Sequence, residues 1–295
     1  MIAKFAFLLA GGLVLAGCEA GGETVENAQP TPSPILYVIA DAKGEPQGWL
    51  FGTIHALPDG VEWRTADLER VIDQAQLLVV EVGDLSDTRS ISSTFTILAT
   101  TPGQPDIRAR VDAEDRQQLD EMMAKGHFSS RDFANVETWA AALMLARVSN
   151  TGSPRNGADK ALLLEFPDHR VRELEGTLTQ LRIFDDLAPQ DQTDLLTGII
   201  AEYRSLGDNP ERLRKAWLSG DEEGLINATQ SGIMADPELY EALVAGRNRA
   251  WMKEIDDLLA DGPNPLIAVG AAHLVGPDGL TTLIEQRGYT LTRLQ

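Results

Sequence analysis

Two apolar runs of one design, placed near opposite ends of the 295-residue chain, constrain its fold more than any other feature. The first is Gly48-Trp49-Leu50-Phe51-Gly52-Thr53-Ile54-His55, and the second is Pro265-Leu266-Ile267-Ala268-Val269-Gly270-Ala271-Ala272-His273. Each reads as a strand ending in Gly-x-x-His, and together they hold two of the four histidines in the chain. A glycine at a strand end lets the backbone turn or approach a ligand closely, and ligands in open α/β sheets sit beyond strand ends. The two ends are therefore expected to converge on one site.

Hydropathy patterning supplies the elements around them. Ile35 to Ala40 and Gly48 to Ile54 read as a β-hairpin, with turn chemistry over Asp41 to Gln47. Asp67 to Ala75 has helical spacing, and Gln76 to Val82 reads as a short buried strand. Helical spacing recurs over Ala113 to Lys125, Val136 to Val148, Ala158 to Phe166, Thr177 to Leu187, Gln190 to Leu206, Pro210 to Leu218 and Pro237 to Leu259. A short strand at Val171 to Leu174 interrupts them. Leu266 to Gly270 (strand), Asp278 to Arg287 (helix) and Tyr289 to Leu294 (strand) complete the chain. The expected fold is α/β (α+β), with a central mixed β-sheet formed from both chain ends and a large helical insert.

The N-terminus reads differently. Met1-Ile2-Ala3-Lys4 followed by an apolar run to Ala16 is too short to span a bilayer and reads as a signal peptide over residues 1–18. It closes on Leu15-Ala16-Gly17-Cys18, which looks like a bacterial lipobox and holds the only cysteine. Lipidation of Cys18 would anchor the chain to a bacterial membrane, facing the periplasm. Residues 19–34, polar and rich in Gly and Pro, read as a tether, leaving a single domain over 35–295. A formal charge of −20 disfavours nucleic-acid partners.

Glu81 closes the run Leu77-Leu78-Val79-Val80, where an ionised carboxylate needs a partner. It either reaches solvent, pairs with an arginine at the strand end, or joins His55 and His273. That third arrangement, two histidines and one carboxylate, would bind a divalent metal (Mn, Co or Zn) with positions open for water and substrate. His127, His169 and the Trp139 and Trp251 groups read as surface and helix core. There is no His-Glu-x-x-His, Gly-x-Ser-x-Gly, P-loop or dinucleotide fingerprint.

Taken together, Gly52-Thr53-Ile54-His55, Val80-Glu81-Val82, Asn156-Gly157-Ala158-Asp159, Leu174-Glu175-Gly176-Thr177, Gly246-Arg247-Asn248-Arg249 and Val269-Gly270-Ala271-Ala272-His273 resemble the TraB/GumN family. The resemblance implies kinship with the Tiki metalloproteases and, more distantly, with erythromycin esterase-like and ChaN-like proteins. It implies His55, Glu81 and His273 as site residues and Arg247 and Asn248 as polar neighbours. Asp159 either caps its helix or serves the site, with Asn156 the better-placed cap; Glu175 either forms a salt bridge or positions a ligand. Three functions follow as expectations: a metal-dependent hydrolase of peptide or amide bonds; a metal-free hydrolase with His55 as base and Arg247 on the oxyanion; or a lipoprotein that binds a peptide or small molecule without turnover.

Overall fold

A computed structural model describes residues 31–294 apart from 86, 150, 151 and 207–210, with the side chains of 149, 206 and 261 also left aside. The expected signal peptide, Cys18 and residues 19–30 of the expected tether lie outside the described residues. Among the described residues no helix is long and apolar enough to cross a membrane.

The strands are β1 (Leu36–Ala40), β2 (Pro46–Thr53), β3 (Leu77–Val80), β4 (Val171–Glu173), β5 (Pro265–Gly270) and β6 (Thr290–Leu294). They form one sheet in the order β4-β3-β5-β2-β1-β6. Strands β4, β3, β5 and β2 run parallel, while β1 is antiparallel to both β2 and β6. The mixed sheet drawn from both chain ends is thus present. Its centre is β5, every residue of which is buried, as parallel strands covered on both faces require.

The helices are α1 (Ala66–Gln74), α2 (Thr88–Ala99), α3 (Arg116–Lys125), α4 (Thr138–Ser149), α5 (Ala158–Leu163), α6 (Gly176–Asp185), α7 (Pro189–Leu206), α8 (Arg212–Ser219), α9 (Glu222–Thr229), α10 (Pro237–Tyr240), α11 (Gly246–Asp261) and α12 (Leu280–Gln286). One apolar cluster surrounds the sheet, from Ile35 and Leu50 to Ile267 and Ile284. A second, built on Trp139, Leu145, Leu196 and Ile200, fills the helical insert. Two expectations change in detail. The helix foreseen over Pro237 to Leu259 is broken by a π-turn at Glu241–Ala245. The last two residues of the expected tether join the domain, because Pro34 is buried and Ser33 N donates to Leu218 O at 2.7 Å.

Candidate functional site

Because β2, β3, β4 and β5 are parallel, their C-terminal ends share one sheet edge. His55 follows β2 by two residues, Glu81 follows β3 directly, Glu175 follows β4 by two and His273 follows β5 by three. The local backbone fixes these loops. Glu175 N and Gly176 N both donate to Glu81 O (3.1 and 3.2 Å), tying the β4 exit to the β3 exit. Ala158 N donates to Ile54 O at 2.9 Å, which seats the start of α5 against His55. At Gly52 a Cβ would stand 3.1 Å from the Ala271 Cβ, so glycine is what lets the turn Ala271–His273 close on β2.

At Gly270 an added Cβ would lie 3.3 Å from Glu81 Oε1, 3.6 Å from His55 Nε2 and 3.7 Å from His273 Cδ2. The three residues singled out in the sequence therefore meet around one glycine, and the two Gly-x-x-His ends do converge.

Their partners set their chemistry. Asn248, fully buried, donates through Nδ2 to His273 O (3.0 Å) and Asp278 O (2.8 Å). Its Oδ1 must then face His273 Nδ1, 2.7 Å away, so that nitrogen carries the proton and Nε2 keeps a lone pair. Arg247 Nη1 donates to that Nε2 at 3.1 Å. Burial pushes the His273 imidazole down to about 3, with Glu81 opposing and the Arg247 charge adding to it, so it is neutral at ordinary pH.

Arg247 is the hub. Its Nε and Nη2 fork onto Glu175 at 2.8 Å each, Nη2 also meets Glu81 Oε2 at 2.6 Å, and Nη1 donates to Leu243 O and His273 Nε2 at 3.1 Å each. All five guanidinium N–H groups are thereby engaged. Glu81 takes Gly270 N on Oε1 (2.8 Å) and Gln180 Nε2 on Oε2 (3.2 Å) besides Arg247. Burial alone would raise its carboxyl; the charges of His273 when protonated, Arg247 and His55, with the Gly270 N–H, bring it down to about 2. Glu81 thus pairs with an arginine while also standing beside His55 and His273 around Gly270.

His55 is different: 65% of its side chain meets solvent, and Nδ1 lies 2.9 Å from Asp159 Oδ2. Protein atoms crowding the ring lower its proton affinity, but the hydrogen bond and charge of Asp159, with Glu81 behind, carry it up to about 9. Asp159 thus pairs with His55, and Asn156 does not cap α5. The cap is Gly157, with no side-chain bond, while Asn156 Nδ2 donates to Leu57 O and Asp59 Oδ1.

Sequence reasoning missed Gln180 and Trp251. Trp251 donates to Glu175 Oε1 at 2.9 Å, packs 4.6 Å from the His273 ring and lies under Arg247 at 4.8 Å. Its place four residues after Arg247 on one helix face was the available signal. Gln180 offered none.

The fit of a divalent metal can be tested on these bonds. Both oxygens of Glu81 and both ring nitrogens of His273 are engaged, and the guanidinium lies on the two atoms a metal would share. Among the described residues no group of three or more His, Cys, Asp or Glu is arranged to hold a metal ion. In this arrangement the donor set does not fit one.

Fold and site define an α/β protein whose polar centre sits at the C-terminal edge of a parallel sheet, with an open histidine–aspartate pair over a buried Glu–Arg–Glu–His network. The TraB/PrgY/gumN family model matches residues 35–293, and the chain belongs to that family. No curated protein and no solved structure is matched by the chain.

Proposed function

We propose that the chain is a hydrolase of peptide or amide bonds, lipid-anchored through Cys18 and facing the periplasm, in which His55 is the proton-transfer group. The observation that carries this reading is the His55–Asp159 pair: an imidazole oriented at 2.9 Å by a carboxylate, open to solvent, with Nε2 turned toward Gly270. With Nδ1–H held by Asp159, neutral His55 accepts a proton at Nε2 from a water attacking the substrate carbonyl. The same Nε2–H then passes to the leaving amine as the tetrahedral intermediate collapses. Arg247 has no N–H left for the developing oxyanion, so its part is to hold Glu81, Glu175 and His273 in place.

Metal dependence is a second reading, favoured by the meeting of His55, Glu81 and His273 around Gly270. It requires the Arg247 guanidinium to leave Glu81 and His273, and no step is assigned through a metal. The deciding experiment is turnover of a peptide library by the purified chain with and without chelator, beside His55→Ala. Chelator-resistant cleavage lost in the variant supports the first reading. Chelator-sensitive cleavage restored by Mn, Co or Zn moves the assignment to the second.

A further inference from the structure

In the helical insert, the ends of α3 and α4 meet around a concavity of about 550 Å³, lined by Lys125, Gly126, Phe128, Met144, Arg147 and Val148. None of these residues belongs to the site at the sheet edge. The way α3 ends makes the space. Gly126 N donates to Met122 O, His127 takes a left-handed φ of 58°, and the chain turns back so that Phe128 N donates to Met123 O at 2.8 Å. Gly126 itself is right-handed, with φ −81°, so glycine is used here for room and not for its backbone freedom. A Cβ at this position would stand 2.7 Å from two carbons of the Phe128 ring and 2.8 Å from Val148 Cγ2. Phe128 in turn packs on Phe133, with ring centroids 5.4 Å apart, which fixes the apolar floor.

The charge of the lining runs against that of the chain. The sequence has 25 Lys+Arg against 45 Asp+Glu, yet this lining holds two cations and no carboxylate. Lys125 lies in the last turn of α3 and Arg147 in the last turn of α4. Arg147 is exposed and, among the described residues, has neither a hydrogen-bond nor an ion-pair partner. The Lys125 ammonium lies 5.0 Å over the Tyr203 ring and pairs with no carboxylate among the described residues. Carboxylates close in sequence are engaged elsewhere: Glu121 accepts from Gln117 and Gln118, and Asp132 accepts from Ser129. An apolar floor under two cations, in a space of this size, has the make-up of a small-molecule site.

We propose that this concavity binds a small molecule with an apolar chain and one terminal carboxylate. The chain lies against Phe128, Met144 and Val148, and the carboxylate meets Lys125 and Arg147. A simple anion leaves the apolar floor unused, and a neutral chain leaves both cations unused. The site is separate from the sheet edge and does not depend on the reaction proposed there.

The test follows the ε-methyl NMR signal of Met144 in the full chain labelled with methyl-¹³C methionine and assigned with Met144→Leu. Octanoate, octanol and butyrate are titrated in turn. The expected result is a saturable shift with octanoate, and binding about fivefold weaker or more both for octanol and for octanoate in Lys125→Gln/Arg147→Gln. Butyrate, four methylenes shorter, should bind about tenfold more weakly or worse. No saturable shift at Met144, or equal affinities for octanoate and octanol, overturns the proposal. So does unchanged octanoate binding in the double variant, and a lowered melting temperature there would assign the two cations to their helix ends alone. A Met144 signal that moves on dilution without ligand identifies a second copy of the chain as the occupant and also overturns it.

Discussion

At the scale of single residues the site divides into a fixed part and an open part. Arg247 belongs to the fixed part. Replacing it with Met leaves Glu81 and Glu175 buried without their cation, and the expected loss is about 3–5 kcal/mol, read by urea unfolding. His55 belongs to the open part, since it is solvent-facing and bonded to Asp159 through Nδ1. His55→Ala should lower turnover by about 10²–10⁴-fold with little change in stability. Because Asp159 holds the His55 pKa up to about 9, the base form accumulates only as pH rises, and kcat/KM should climb toward pH 9. Asp159→Asn removes that raising charge, so the rising limb should move to lower pH. A limb that stays in place would show that another group carries the proton. Thr53, 2% exposed, keeps its hydroxyl oxygen without a partner. Thr53→Val should therefore leave stability unchanged or raise it by about 1 kcal/mol, checked by the urea midpoint.

At the scale of elements, what could be read from the sequence follows how strongly burial imprinted each segment. Strands β2, β3 and β5 are buried along most of their length and appear in the sequence as unbroken apolar runs. The Gly-x-x-His ends pointed to the right edge of the sheet because those runs fix where the chain must turn. Helix α2 was invisible for the opposite reason: Thr88–Ala99 is rich in Ser and Thr, and Ala99 is its only buried residue, so no apolar stripe marks it. The short turn Ala271–His273 and the π-turn before α11 are also silent, being set by tertiary contacts. Trp251 passed for ordinary core because a buried aromatic in a helix carries no sign of what its indole N–H meets. Arg247 and Asn248 were found through family resemblance alone, since arginine among acidic residues on a helix reads as a solvated face. The glycines of the two motifs carry different loads. Gly270→Ala places a methyl 3.3 Å from Glu81 Oε1 and 3.6 Å from His55 Nε2, so it should impair turnover more than folding. Comparing kcat/KM with the melting temperature of that variant separates the two effects.

At the scale of the whole molecule, the buried titratable groups set the response to acid. The folded-state pKa of His273 lies near 3, below its unfolded value of about 6.5, so the unfolded chain takes up the proton first as pH falls. Its contribution is complete above about pH 6.5 and is lost as pH falls toward 3. Glu81, lowered to about 2, adds a loss that begins below about pH 4.5. His55 has the opposite sign: its pairing stabilises fully below about pH 6.5 and fades as pH rises through 9, weakly because the ring is solvent-screened. Urea midpoints at pH 4, 7 and 9 should thus be highest at 7, with the larger drop on the acid side.

The position of β5 in the middle of the sheet also bears on when the protein can fold. Strand β5 lies between β3 and β2, yet it is the fifth of six strands along the chain. Until residues 265–270 are available, β2 and β3 each lack the strand that lies between them, and the His273 half of the site does not exist. Pairings so distant in sequence form late. A chain emerging from a ribosome or threading a membrane pore would remain without its central strand until nearly its whole length was free. The same connectivity that assembles the site therefore leaves the sheet divided into two halves until nearly the whole chain is available.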